Sequence, residues 1–320
     1  MINHAVILAV GNPSHQSQLT YNRTLAMLPA LGKPLFIRIM ERLYRVGIRD
    51  YTVIVGENEG AVASYLNSQW MPDVTINLII HFSGHNLLKP FRSIAESLKA
   101  PFLVTTYNSF THTHFPSRLI KTHESHPDAL IFGGAPVSLS QANQQRFAVV
   151  KERRVTDVSR TRDGDRQTYT LADLYVCGSG AVEFLRGSQD DDFNAPTFAD
   201  VARAYLKADG QGIIAESTWI LQVETDRDLL TLNRHLLDEG QDAHILSELP
   251  YTVKIIPPVR IDPQVTVGQG CKIGPHVYLE RGCTVGHDVT IQDSIVMARA
   301  NVPAQKTLVN TILTTRGPIT

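Results

Sequence analysis

Six aliphatic residues in the last quarter of the chain, Ile261, Val267, Ile273, Leu279, Val285 and Ile291, stand six positions apart. The fifth position of each hexad is also small or apolar: Val265, Cys271, Val277, Cys283, Val289 and Ile295. Position two is Asp262, Gly268, Gly274, Glu280, Gly286 and Gln292. A six-residue period sustained in this way is the mark of a parallel β-helix, in which each hexad supplies one face and one turn. Three hexads close a coil, and each residue stacks on the one roughly 18 positions further along. The pattern predicts about two regular coils, then a third, looser one through Val302 and Leu308. Cys271 and Cys283 fall on inward positions of different faces, so they read as small buried residues and not as a disulfide.

The preceding part alternates strand and helix. Apolar runs at 5–10, 51–55, 74–80, 102–106 and 129–135 read as strands of a buried, largely parallel sheet. Amphipathic stretches at 34–46, 58–68 and 87–99 read as the helices between them, the first stopped by Gly47. Residues 146–178 read as an antiparallel insertion, a hairpin in FAVVKERRVTDVS followed by the strand LADLYVC. A helix near 197–207, a strand at 213–223 and a helix at 226–238 complete this part. The expected fold class is α/β. A Rossmann-like mixed-sheet domain spans 1–245, and a short β-helix of hexapeptide repeats spans 255–320.

Composition narrows the function. Of 320 residues, 43% are hydrophobic and 19% charged, with a formal net charge of −1, which points to neither a nucleic-acid nor a membrane partner. Three cysteines are too few for a disulfide scaffold and fit a reducing compartment, so a cytoplasmic location is expected. No apolar run approaches the ~18 residues of a membrane span.

The segment 4–35 holds the chemistry-bearing frame. Strand His4–Val10 runs into Gly11 and a patternless loop, then into Leu28-Pro29-Ala30-Leu31-Gly32-Lys33-Pro34-Leu35. In α/β proteins a loop that starts on Gly at a strand end lets backbone N–H groups approach a phosphate. Yet Ser14–Ala30 contains one Arg, one His, no Lys and no acid.

This segment resembles the sugar-nucleotide pyrophosphorylases, the NTP-transferase family that makes NDP-sugars from an NTP and a sugar 1-phosphate. Their signature reads L-A-A-G-x-G-T-R-L-x-P-L-T, then N-R-P-K-P-L-L-P-V-x-G-K-P-L. Leu8, Ala9, Gly11, Leu19, Thr20, Asn22, Arg23, Leu28, Pro29, Gly32, Lys33, Pro34 and Leu35 match without a gap. Pro13 replaces the second Gly of the loop, His15 the phosphate-gripping Arg, and Leu25 the Lys of P-K-P. The C-terminal SIVMARANV and TLVNTIL resemble the ends of the mannose-1-phosphate and glucose-1-phosphate types, whose β-helix is left-handed.

Nucleotidyl transfer needs cations against the phosphates, with Mg²⁺ held by carboxylates. By the resemblance, FLVTTYNSF places Asn108 at one metal Asp, and WILQVETDRDL places Gln222 at the other, while Thr225, Asp228 and Leu229 keep the frame. The sugar-side E-K-P falls on Ser159, Arg160 and Thr161. Ala148 replaces a family Gly, Leu171-Ala172-Asp173 replaces N-A-G, and His85 and Asn86 follow Gly84 in the base-contacting loop.

The resemblance implies nucleotide contacts at Leu8, Ala9, Gly11, Gly84 and Asn86, and phosphate or sugar contacts at Arg23, Lys33 and Arg160. The degenerate catalytic positions are His15, Leu25, Asn108 and Gln222, with no metal site. The expected function is a catalytically impaired nucleotide- or NDP-sugar-binding subunit. It would form a homo-oligomer, or a hetero-oligomer with an active paralogue, through the β-helix. No cofactor is expected. The alternative is an active enzyme using Mg²⁺ through Glu57, Glu59, Asp173, Glu224 or Asp226. His112 and His114 read as exposed, His123 and His126 as surface residues. His276 and His287 would matter only in a β-helix acyltransferase.

Overall fold

The computed structural model describes residues 2–10, 18–20, 23–69, 73–82, 85–137, 146–162, 167–189 and 192–319. Two compact units, each discontinuous in sequence, make up the chain: Met1–Asn12 with Phe36–Gln222, and Pro13–Leu35 with Val223–Thr320. No helix among the described residues is long and apolar enough to cross a membrane.

In chain order the first elements are β1 (His4–Ala9), β2 (Pro29–Ala30), β3 (Lys33–Pro34), α1 (Leu35–Arg45), β4 (Asp50–Gly56), α2 (Gly60–Gln69) and β5 (Thr75–His81). Then come α3 (Leu88–Leu98), β6 (Phe102–Thr106), β7 (Ser109–Thr111), α4 (Phe115–Ser125), β8 (Leu130–Pro136), β9 (Phe147–Lys151) and β10 (Arg154–Ser159). β11 (Thr168–Cys177), α5 (Ser179–Gly187), α6 (Phe198–Lys207), β12 (Gly212–Glu216), β13 (Ile220–Gln222) and α7 (Asp226–Asp238) follow.

The first unit is built on a nine-stranded mixed sheet in the order β5-β4-β1-β6-β11-β8-β12-β10-β9. β5, β4, β1 and β6 are mutually parallel. β11 is antiparallel to both β6 and β8. At the far end β9 pairs back onto β11, so that end of the sheet curls on itself. The core packs Val6, Leu8, Ile54, Phe91, Phe102, Val104, Phe132 and Tyr175 with Val201 and Tyr205. α6 is opened by a reciprocal capping box between Thr197 and Asp200, which satisfies two N-terminal N–H groups.

Two helices and one strand break differ from the sequence reading. α4 and α5 lie where no helix is expected. α4 begins with a Pro in its first turn and buries Phe115, Leu119 and His123 at a four-residue spacing. His123 is therefore a core residue, not a surface one, and burial lowers its pKa. The single strand expected at 213–223 is two strands, because β13 leaves the main sheet to pair with β7.

The second unit carries the β-helix. β14 (Lys254–Ile255), β15 (Val259–Ile261) and β16 (Thr266–Val267) form its first coil. β17 (Lys272–Ile273), β18 (Val277–Leu279) and β19 (Thr284–Val285) form the second; β20 (Thr290–Gln292), β21 (Ile295–Val296) and β22 (Asn301–Val302) form the third. β23 (Thr307–Val309) and β24 (Ile312–Thr314) add two faces of a fourth, and β25 (Gly317–Ile319) folds back antiparallel on β24. The array is longer than the hexads announce. Ile255 stands one hexad before Ile261 and is the signal for the extra strand at the start. All three cysteines are free and buried.

Stacking begins at the expected offset, with Lys254 on Lys272 and Thr266 on Thr284. It then shortens by one residue: Tyr278 stacks on Ile295 and Thr290 on Thr307. The shorter corners at Asp293–Ser294 and Asn310–Thr311 take up the change, and the first is why the repeat looks irregular after Gln292. Valine, isoleucine, leucine and cysteine fill the coil interior, Ile261, Ile273, Val277, Cys283, Val289 and Ile291 among them. At the corners of Gly268 and Gly286, as at Gly274, only glycine fits. A Cβ on Gly268 would stand 2.6 Å from the carbonyl carbon of Gly286, and one on Gly286 would stand 2.5 Å from the nitrogen of Ala304. Gly286→Val should therefore cost about 1–3 kcal/mol by overpacking, or more if the coils separate. Thermal unfolding checks this, with half-buried Gly282→Ala, which meets no atom within 4 Å but has a positive φ, as a milder comparison.

Candidate functional site

Ligands of open α/β sheets sit beyond the carboxyl ends of the parallel strands. In the first unit β1 ends in the buried Leu8 and Ala9, and the Leu8 carbonyl accepts the N–H of Tyr107 just after β6. Gly11, His15 and Gly84 lie outside the described residues.

Asn108 follows Tyr107 and leads into β7. β7 pairs antiparallel with β13, with Ser109 opposite Gln222. Asn108 and Gln222, which the sequence resemblance sets at the two metal-Asp positions more than a hundred residues apart, are thus brought to neighbouring places. Both are amides.

Opposite them β11 is bent. Its register against β8 shifts between Leu171 and Tyr175, and Asp173 sits at φ +42, a conformation that favours Gly, Asn and Asp. The bend frees the Ala172 carbonyl, which accepts the Ser109 hydroxyl. The Asp173 carboxylate takes a hydrogen bond from the Tyr175 hydroxyl at 2.9 Å and a second from the Gln222 amide. Burial pushes the Asp173 carboxyl above the usual range, and Tyr175, Arg146 and Gln222 only partly offset it. Burial likewise raises Tyr175, which stays a donor.

A second polar group lies on the same unit. Arg146 makes a two-pronged contact with Asp200, at 2.9 and 3.3 Å. Arg160, largely exposed, stands 3.9 Å from the same carboxylate. Burial alone would raise Asp200, but the Thr197 hydroxyl and Arg146 hold it below the usual range. Asn86 has its carbonyl oxygen on the N–H groups of Leu88 and Ala195 and its amide nitrogen on the Phe193 carbonyl. These bonds start α3 and hold a loop.

Three further candidates, Arg23, Leu25 and Lys33, belong to the second unit. Leu25, which the sequence resemblance sets at a family Lys, opens a short 3₁₀ turn and is a buried apolar packing residue. Arg23 lies near enough to Glu280 of the β-helix for its charge to oppose the pKa rise that burial imposes there. Lys33 pairs with Ala30 across the β2–β3 hairpin, whose turn residues Leu31 and Gly32 both have positive φ. A Cβ on Gly32 would lie 3.1 Å from an Arg260 guanidinium nitrogen, so the hairpin tip rests on the Arg260–Asp262–Tyr278 network of the first two coils. Thr225 and Asp228 form the capping box of α7.

Asn108, Gln222 and Asp173 do not by themselves make a Mg²⁺ site. Asn108 and Gln222 offer neutral amides, weak ligands for a hard cation, and both Asp173 oxygens are already bonded. Among the described residues no three His, Cys, Asp or Glu side chains gather as a metal site.

Residues 4–236 match the nucleotidyl transferase family, and residues 255–319 match the GMPPB C-terminal domain. The chain belongs to the nucleotidyl transferase family. No curated protein matches it in sequence. Among solved structures it is similar to a Bacillus anthracis protein assigned as a glucose-1-phosphate thymidylyltransferase, in complex with sucrose. That match has TM-score 0.61 and 16% identity, over 72% of this chain and 93% of the other. It is similar to a UDP-glucose pyrophosphorylase complexed with UDP-glucose, with TM-score 0.60 and 13% identity, over 72% and 97%. An inositol-1-phosphate CTP transferase from T. maritima matches with TM-score 0.57 and 15% identity, over 71% and 91%. At these identities the likeness is one of fold.

The raised Asp173 pKa fixes the sign of a pH effect. A carboxyl that holds its proton more tightly when folded costs stability once pH exceeds its unfolded value, and the loss grows until pH passes the folded value. Asp173→Asn should therefore melt higher than the parent at neutral pH, with the difference vanishing in acid. Gln222→Leu, which strips one Asp173 oxygen of its donor, should cost about 1–3 kcal/mol at neutral pH. Thermal melts across pH report both.

Proposed function

We propose that this chain binds a nucleotide or NDP-sugar on its first unit and does not carry out nucleotidyl transfer at the rate its fold supports elsewhere. In this reading it is a regulatory or structural subunit, cytoplasmic, able to pair with an active paralogue through the β-helix. The observation that supports it most is the meeting of Asn108 and Gln222 at β7 and β13, with the Gln222 amide committed to Asp173. A neutral pair there cannot offset the charge that builds on the transferring phosphate. Loss of one strong electrostatic contact is worth ~3 kcal/mol, about a hundredfold in rate, and here several are replaced together.

Thermal-shift titration against NTPs and NDP-sugars, with and without Mg²⁺, tests the reading. The expected result is a shift with at least one nucleotide that Mg²⁺ does not change, and pyrophosphate release at background for every NTP and sugar 1-phosphate pair. Mg²⁺-dependent turnover by the parent protein would overturn it in favour of an active transferase with rearranged ligands. The triple variant Asn108→Asp, Gln222→Asp, Asp173→Gly restores the family residue at each place and should gain a Mg²⁺-dependent nucleotide shift.

A further inference from the structure

β5 is an edge strand with an apolar outer stripe. Among the described residues the sheet has one open edge, since β9 closes on β11 at the far end, and that edge is β5. From 74 to 82 the sequence reads Val-Thr-Ile-Asn-Leu-Ile-Ile-His-Phe, with an apolar residue at every even position. Strand alternation puts Val74, Ile76, Leu78, Ile80 and Phe82 on one face. That face is left uncovered: Leu78 is 38%, Ile80 66% and Phe82 53% exposed. Their register neighbours on β4, Val53 and Val55, are fully buried, so the helical cover stops one strand short.

Edges in monomeric proteins are normally blunted by a charge, a proline, a bulge or a covering segment. β5 has none of the first three: no Lys, Arg, Asp, Glu or Pro lies in 74–82, and its seven-residue register with β4 runs unbroken. The strand is also self-complementary. In an antiparallel pair about a two-fold axis at Leu78, Leu78 faces Leu78, Ile76 faces Ile80, and Val74 faces Phe82. Asn77 faces Ile79 and Thr75 faces His81 on the other face. No like charges meet. The same arrangement brings the Asp73 end of each strand to the end of the other that carries His85, whereas a parallel pair would set like ends together.

We propose that β5 pairs antiparallel with β5 of a second copy of this chain, continuing the two sheets into one across a two-fold axis at Leu78. A two-fold contact of this kind is closed, so it yields a dimer and not a filament. It is a different surface from the β-helix and does not depend on what the first unit binds.

Sedimentation analysis of the full chain at micromolar concentration tests it. The parent should be a dimer. Ile80→Lys would bury an ammonium group against Ile76 of the second copy, and should raise the dissociation constant about tenfold or more. Ile80→Val should leave the dimer intact. Because position 80 is exposed in the single chain, far-ultraviolet circular dichroism should be the same for all three. Leu78→Cys should cross-link between copies on mild oxidation, since directly opposed residues have Cα atoms about 4.5–5.5 Å apart, within disulfide range. The three native thiols are buried and do not compete. A monomeric parent, an Ile80→Lys protein that dimerises as the parent does, or a Leu78→Cys protein that fails to cross-link would each overturn the proposal.

Discussion

A carboxylate enclosed in protein must be given donors, or it costs several kcal/mol and takes up a proton. Asp173 imposes that demand at the point where β11, β7 and β13 meet. Tyr175 and Gln222 answer it, and the Ser109 hydroxyl covers the carbonyl left open by the bend. These bonds make Gln222 and Ser109 interdependent with the bend. A carboxylate at 222 would face Asp173 directly, and one of the two would have to stay protonated. A glycine at 173 would leave the Gln222 amide without its partner. Positions 173 and 222 are therefore coupled through one hydrogen bond.

Much of this fold was legible in sequence because its signals are local. The hexads declare themselves within six residues, and capping boxes within three. That locality also explains why Thr225 and Asp228 stay readable in an otherwise altered motif: they start α7. Leu28, Pro29, Gly32 and Pro34 persist for a related reason, since the hairpin needs a turn with two positive φ values and a tip without a Cβ over Arg260.

What could not be read is non-local. β7 has three residues and gives no periodic signal, and its pairing with β13 joins segments that only the folded sheet brings together. The Asp173–Gln222 contact and the convergence of Arg146 and Arg160 on Asp200 are of the same kind. α4 was missed for a different reason. Its apolar stripe is only three residues deep and includes a histidine, which reads as polar until it is seen in the core.

The one-residue shortening of the β-helix at Asp293–Ser294 has a practical meaning for anyone cutting or extending this chain. Below the corner a complete turn is an eighteen-residue module; above it the module is seventeen. A coil cut at matching corners keeps its inward residues in phase, as Ile273, Ile291 and Leu308 do across both spacings, whereas a segment cut as a fixed eighteen residues across the corner slips by one and turns inward side chains to water. The corner is a phase marker, and grafts that respect it keep aliphatic residues facing inward on every face.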